Sequence, residues 1–405
     1  MSVRQFFAII LIFMLGTTAW WVLGAASETR TYAVGERLDS AVAELWGQPV
    51  LQPAPRFSVQ VPGSRQQRAL VASANRIAVD LRLEQRRKGL LWYPTYEVLF
   101  NAEYAVSNDT LVEQRVRAHL PLPAVGATYD EFGVWLDDQP SPHEVDVQQG
   151  IAELIVLAPG QTRTFKVRYR TRGLYTWRYD LGGESGRVRD LDMQVVTNFQ
   201  AVDYPEGSLS PMAVEPLAAP ADGLRLRWRA ADLITRQQVA VAMPEKLNPG
   251  PLTARISFFG PVCLVFFFVL VGSIAILRGV AIHPMLYLFV TAGFFAFNLL
   301  FAYLVDWIDV HLAFIVAAAV SVGLVVSYLR AALGPAFPWK IAALGQLFYL
   351  VLFSYSFFLK GMTGLTVAVG AILTLAVLMR LTARLDWRAV FQPQGRRQAA
   401  AERAG

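Results

Sequence analysis

Residues Ile256 to Leu277 read ISFFGPVCLVFFFVLVGSIAIL, a stretch without a single charged side chain. Four more apolar stretches follow, from Pro284 to Val305, His311 to Leu329, Phe337 to Leu359 and Thr363 to Met379, with Lys340 near the start of the third as their one Asp, Glu, Lys or Arg. A helix rises about 1.5 Å per residue, so a hydrocarbon core of roughly 30 Å takes about 20 apolar residues to cross. Backbone N–H and C=O groups cannot go unpaired in lipid, so runs of this length are helices. Residues 256–382 therefore read as a five-helix transmembrane block, and the rest of the chain is arranged around it.

Composition agrees. The 405 residues are 54% hydrophobic and only 17% charged, with a mean hydropathy of +0.37, the balance of a membrane protein. The net charge of +6 does not point to nucleic acid, because much of it stands beside helix ends and in the C-terminal tail, where membrane orientation accounts for it. The single cysteine, Cys263, lies inside an apolar stretch, which excludes an intramolecular disulfide and a thiolate metal cluster.

At the N-terminus Arg4 precedes an apolar run from Phe6 to Ala26, with Trp20 and Trp21 near its far end. Gly24-Ala25-Ala26 resembles a cleavage site, but the run is longer than a signal-peptide core, so residues 1–26 are expected to be an anchor that is kept. Residues 27–255 then carry frequent charges and most of the prolines, and hold no run long enough to span a bilayer. Period-two alternation over Ile77–Leu83, Tyr96–Val106, Leu111–Leu120 and the stretch Leu157–Gly173 predicts strands with one buried face. In the last of these, Phe165, Val167 and Tyr169 share one face, and Lys166, Arg168 and Arg170 the other. Shorter strands are expected at Phe57–Val61, Glu153–Leu157, Leu191–Thr197, Leu224–Trp228 and Gln238–Met243, and a short amphipathic helix over Leu38–Trp46. Leu247-Asn248-Pro249-Gly250-Pro251 is the linker, since two prolines and a glycine cannot continue a strand ladder. The expected fold is a mixed membrane protein, a six-helix bundle with one large β-rich, sandwich-like extracytoplasmic domain between its first and second spans. That domain has room for one sandwich or two. Arg87–Trp92 faintly echoes Thr171–Thr176, and a basic-Gly-Leu turn at a strand end explains the echo without a repeat.

Orientation follows from positive charge. With both termini inside, Arg278, the Arg330–Lys340 loop and the basic tail 383–405 face the cytoplasm, while Asp306, Asp309 and a lone Lys360 lie outside. In a Gram-negative cell the β-rich domain is then periplasmic.

The arrangement resembles the CreD family of bacterial inner-membrane proteins. The residues that carry the likeness are Ile282-His283-Pro284-Met285-Leu286-Tyr287-Leu288, Asn298 to Leu304, Leu312-Ala313-Phe314 to Ser327-Tyr328-Leu329, Gly364-Leu365-Thr366 and Leu385-Asp386-Trp387. In the soluble half the likeness rests on Leu45-Trp46-Gly47, Lys88-Gly89-Leu90 and Tyr93-Pro94-Thr95-Tyr96. It implies a role in envelope integrity, often within a regulon under two-component control, and it implies no reaction.

Chemistry-bearing motifs are sparse. No pair among His119, His143, His283 and His311 has the spacing of a helical zinc site. His143 sits among Asp137, Asp138, Glu144 and Asp146, which together with Pro140 and Pro142 read as a solvated turn. No phosphate-cradling glycine loop or nucleophile elbow is present, so neither a metal nor another cofactor is expected, and the chain is read as a non-enzyme. The spans hold no mid-membrane charge. Their polar exceptions, Asn298, Gln346, Ser354 and Ser356, are expected to make interhelical hydrogen bonds. Ala313, Ala317 and Ser321, and likewise Ala319, Gly323 and Ser327, repeat at four-residue spacing, which predicts close packing and makes the fourth span the centre of the bundle.

One ligand site is suggested outside the membrane. Trp92, Tyr93, Tyr96, Tyr175, Trp177 and Tyr179 accompany Arg86, Arg87, Lys88, Arg172 and Arg178, a mixture able to stack on sugars or grip an anionic glycan or lipid. Ordinary sandwich core and rim use the same residue types. Three functions are compatible: an envelope protein whose outward domain binds a glycan, a lipid or a periplasmic or inner-membrane protein; a transporter or flippase; and an envelope hydrolase, for which no nucleophile, base or metal set is evident. The first requires nothing that the chain lacks, beyond the lipid bilayer itself as partner.

Overall fold

The computed structural model describes residues 3–60, 66–89, 91–123, 127–141, 148–181, 186–220, 222–278, 280, 282–334, 337–359 and 361–383. His143 with Pro142, Glu144 and Asp146, Leu90, Lys360, Leu385-Asp386-Trp387 and the tail arginines from Arg384 onward lie outside the described residues. The chain forms two compact units, one of residues 1–34 with 248–405 and the other of residues 35–247.

The first unit is helical. It takes residues up to 34 of α1 (Val3–Trp46), then α2 (Pro249–Arg278), α3 (Pro284–Leu304), α4 (Val310–Leu333), α5 (Trp339–Gln346), α6 (Phe353–Tyr355) and α7 (Thr363–Thr382). A π-helical turn, Leu347–Leu352, joins α5 to α6, and a 3-10 turn, Ser356–Phe358, follows. Among the described residues six helical segments are long and apolar enough to cross a membrane: Arg4–Thr31, Pro249–Arg278, Pro284–Leu304, Val310–Leu333, Trp339–Phe358 and Thr363–Arg380. Two expected boundaries move. The helix does not stop at residue 26, because the polar run Ser27–Thr31 contains no proline or glycine to break it, and it continues without interruption into the expected Leu38–Trp46 segment. Similarly, α2 begins at Pro249, seven residues before the apolar run, since proline is tolerated in the first turn. His283 caps α3 by accepting from the Met285 N–H, and Asp309 caps α4 by accepting from those of His311 and Leu312.

The centre of this unit is α3, not the fourth span. Of its apolar window 56% is buried, against 39% for α4, 17% for α1 and 11% for α7. The reason is visible in the small residues. Ala313, Ala317 and Ser321 are fully buried, whereas Ala319, Gly323 and Ser327 are exposed. A Cβ added to Gly323 would meet no atom within 4 Å. Among the described residues only one of the two expected packing rows is therefore used, and Gly323 packs against no other helix. The first helix belongs to the bundle through Trp20, fully buried against Phe295, and through Arg30, which pairs with Asp306 at 2.5 Å.

The second unit begins at Gly35, in the last part of α1, and is otherwise β. Its strands are β1 (Val50–Pro53), β2 (Arg56–Gln60), β3 (Gln67–Leu70), β4 (Ala74–Lys88), β5 (Leu91–Ser107), β6 (Gln114–Leu120), β7 (Asp130–Leu136), β8 (Gln139–Pro140), β9 (Ile151–Leu157), β10 (Thr162–Leu174), β11 (Thr176–Asp180), β12 (Arg187–Thr197), β13 (Ala213–Pro216), β14 (Leu224–Ile234) and β15 (Gln238–Ala242). They form an eight-stranded sheet in the order β13-β14-β12-β4-β5-β10-β7-β8, a four-stranded sheet β3-β2-β6-β9 and a three-stranded sheet β1-β11-β15. All three feed one contiguous core, with Trp177 from β11, Phe57 from β2 and Phe165 from β10 among its members, so the unit is one sandwich-like body and not two. The alternation within β10 is as expected, with Phe165, Val167 and Tyr169 fully buried. Leu111 and Val112 instead lie in an exposed turn. The buried Asn108 shapes that turn, donating to the carbonyls of Val112, Leu157 and Ala158.

Candidate functional site

The aromatic residues singled out in the sequence divide into two groups. Trp177 and Tyr179 on β11 stack on each other inside the core. Tyr96 on β5 is equally buried, its hydroxyl donating to the Thr176 carbonyl at 2.7 Å and accepting from the Val50 N–H. None of these three can offer a stacking face to a ligand. Tyr93 and Tyr175 instead belong to a separate small cluster, where Val42, Leu38 and Trp46 of α1 pack on Leu91, Tyr93 and Leu174, while Trp92, next to Tyr93 on β5, is half-buried. The Tyr175 hydroxyl donates to the Asp39 carboxylate at 2.9 Å. Burial pushes the Tyr93 phenol up to about 12, with Asp39 adding to the effect, and the same two causes raise Tyr175. Arg86 lies 5.2 Å above Trp46 and Lys88 donates to the Ala41 carbonyl, so these two cations are spent on holding the helix end, while Lys246 lies 4.0 Å above the Trp92 ring. Arg172 is exposed on β10, and the chain leaving α1 touches its backbone. At Gly47, with φ +105°, a Cβ would stand 2.4 Å from the Arg172 carbonyl oxygen, so glycine is required there. The cluster is thus a clamp between a helix end and two strand ends.

A different concavity lies on the four-stranded sheet. A cavity of about 510 Å³ is lined by Arg56 and Ser58 of β2, Gln67 and Ala69 of β3, Arg117 and His119 of β6, Ala152 of β9 and, at one end, Asn75 of β4 and Arg187 of β12. Its origin is the register. Ser58 pairs with Ala69 on one side and Arg117 on the other, and His119 lies between Arg56 and Ala152. Small side chains on neighbouring strands leave a depression, and long cationic ones rim it. The Nε2 of His119 donates to the Gln149 carbonyl at 2.8 Å, which fixes the ring. Arg187 is held by the Asp232 carboxylate, and that partner lowers the Asp232 pKa. Sequence reasoning misses this set, apart from His119, because its members sit on six strands and carry no linear spacing.

Inside the helical unit the polar residues meet in part. Gln346, at the end of α5, donates to the Ser321 hydroxyl at 3.1 Å, and Ser321 donates to the Gly293 carbonyl at 2.7 Å, so α3, α4 and α5 are tied together. Asn298 does not join them. Its amide donates within its own helix to Phe294, and its Oδ1, like the Oε1 of Gln346 and the hydroxyl of Ser257, is buried without a partner. Ser356 likewise bonds its own segment, at Phe353. Among the described residues no group of three or more His, Cys, Asp or Glu is placed to hold a metal ion.

Residues 222–388 match the family model described as inner membrane protein CreD. The match covers β14, β15 and the helical unit from α2 to beyond α7, so the CreD resemblance is shown over the part of the chain where the quoted motifs are densest. His283, the α3 cap, and Asn298 both stand within the CreD match, and so do Ser321 and Gln346. Arg56, Arg117 and Arg187 lie before it. No curated protein matches the chain. A crystal structure of a candidate nutrient-binding protein from Legionella pneumophila aligns at 11% identity with a TM-score of 0.31, over 62% of this chain and 84% of the other.

Proposed function

We propose that the chain is a non-enzymatic inner-membrane protein that supports cell-envelope integrity, with its β unit on the periplasmic side binding an envelope component or a protein partner. The observation that carries this reading is the contrast between the two units. The apolar spans hold no acidic or basic residue at mid-depth for ion or proton coupling, while the β unit holds an open, polar, cation-rimmed cavity of small-molecule size. The CreD match supports the membrane setting. The test is proximity crosslinking from Gln139, at the exposed β7–β8 turn, in living cells. Recovery of a periplasmic protein, glycan or lipid supports the reading, and recovery of cytoplasmic proteins alone overturns it.

A second reading, a transporter or lipid or glycan flippase, draws on the partnerless buried polar atoms of Ser257, Asn298 and Gln346 and on the π-helical turn that begins directly after Gln346. Irregular helix turns of this kind recur at functional sites. Uptake or lipid-translocation assays in proteoliposomes, comparing the wild type with Gln346→Leu, separate it from the first.

A further inference from the structure

We infer that the cavity on the four-stranded sheet is a binding site for a phosphorylated polar group of about sugar size, with Arg117 as its principal anion contact. This deepens the binding role proposed above and rests on it. The argument begins with which arginines are already neutralised. On the opposite side of the β unit the basic row of β10 is fully answered: Lys166 by Glu103 and Asp138, Arg168 by Glu131, and Arg170 by Glu97 and Glu131. That row is a strand-to-strand lattice of ion pairs, with Lys166 directly opposite Glu103 and the arginines reaching Glu97 and Glu131 diagonally.

Arg117 is different. Its cross-strand neighbours are Ser58 and Leu154, neither of which can answer a charge. It is exposed, and it makes no ion pair among the described residues. Arg56, His119 and Arg187 line the same cavity, and no Asp or Glu is among its lining residues. Arg187, at one end of the cavity, is answered by Asp232, which leaves Arg117 as the outward guanidinium over a floor of Ser58, Ala69 and Ala152, with Arg56 and His119 beside it in the register, and a guanidinium fork matches the oxygens of a phosphate. A volume of about 510 Å³ is far more than a bare phosphate fills. The Ser58 hydroxyl donates to Gln67 Oε1 and the Asn75 amide to the Arg189 carbonyl, which leaves the Gln67 amide N–H groups and the second Asn75 N–H as the neutral donors that a polyhydroxylated body needs.

The experiment uses the full chain in phosphatidylcholine nanodiscs, titrated calorimetrically with N-acetylglucosamine 1-phosphate, with N-acetylglucosamine and with inorganic phosphate, and repeated in discs containing phosphatidylglycerol. Saturable binding of the phosphorylated sugar and none of the neutral sugar is expected. Arg117→Ala should weaken it by about tenfold or more, the scale of a lost charge-assisted contact. Arg115→Ala removes an equally exposed cation from the same strand outside the cavity and should leave the affinity within about twofold. Competition by inorganic phosphate, or binding only to discs with phosphatidylglycerol, each abolished by Arg117→Ala, would identify the free ion or the lipid headgroup as the source of the same phosphate chemistry. Equal losses in the two arginine variants, or no binding of any phosphorylated probe, would overturn the inference. If no phosphorylated probe binds but crosslinking from Gln139 still yields an envelope partner, the ligand class fails and the binding role stands.

Discussion

Gln346 and Ser321, twenty-five positions apart in the chain, meet at 3.1 Å in the middle of the helical unit, and the Ser321 hydroxyl passes the contact on to the Gly293 carbonyl. Interhelical hydrogen bonds in membrane proteins average about 0.6 kcal/mol and reach about 1.7. Ser321→Ala and Gln346→Leu are therefore each expected to lower unfolding stability in detergent by roughly 1 kcal/mol and to leave rescue of a deletion strain under envelope stress intact. Loss of rescue by a stably expressed Gln346→Leu protein would move the transport reading ahead.

Close approach is the larger contribution at the same place. A Cβ on Gly293 would stand 2.4 Å from Cγ2 of Val325 on α4. Gly293→Ala should cost about 1–3 kcal/mol through overpacking, and Val325→Ala in the same protein should recover part of that loss. A double-mutant cycle on detergent unfolding measures it; strictly additive losses would show that the two helices are not in this contact.

The aromatic residues of the β unit should separate by burial. Trp177→Ala empties a fully buried site and is expected to cost about 3–5 kcal/mol, with loss of protease resistance. Trp92→Ala, at a half-buried position on β5, should cost no more than about 1 kcal/mol, the scale of a cation–π contact with Lys246. Equal sensitivity of the two variants to limited proteolysis would contradict this placement.

Alkaline pH should loosen the clamp before it touches the helices. Tyr93 has a folded pKa raised to about 12, above the ordinary value of about 10 for an unfolded tyrosine. Between these values the unfolded chain has released the proton and the folded one has kept it, so unfolded molecules bind fewer protons and stability falls as pH rises. The contribution is complete below pH of about 10 and lost as pH approaches about 12. Tyr175 shifts in the same direction. Phenolate absorbance should rise together with loss of near-ultraviolet dichroism, and Asp39→Asn should shift the phenolate transition to lower pH, because the negative charge that raises both phenols is gone.

Topology is tested by fusions. A periplasm-active phosphatase joined after Gln139 is expected to be active, and one joined after Gln394 silent. The reverse at either position would sink the proposed orientation.

The helical unit was legible in the sequence because lipid allows few alternatives: an apolar run of about 20 residues has to satisfy its own backbone, so Ile256–Leu277 and its successors announce helices before any packing is known. The long strands were legible for a similar local reason, as the alternation of Phe165, Val167 and Tyr169 shows. Partnership was not legible. The rows Ala313-Ala317-Ser321 and Ala319-Gly323-Ser327 look alike, and only the position of α3 decides that the first is buried and the second exposed. Trp177 and Trp92 carry the same side chain, and only the meeting of three sheets makes one of them core. Arg170 and Arg117 are both outward-facing arginines on alternating strands, but the register sets Glu97 beside the first and Ser58 and Leu154 beside the second. A linear pattern fixes which face a side chain takes; what stands opposite that face depends on strands and helices far away in the chain, and that is where the charge of the cavity comes from.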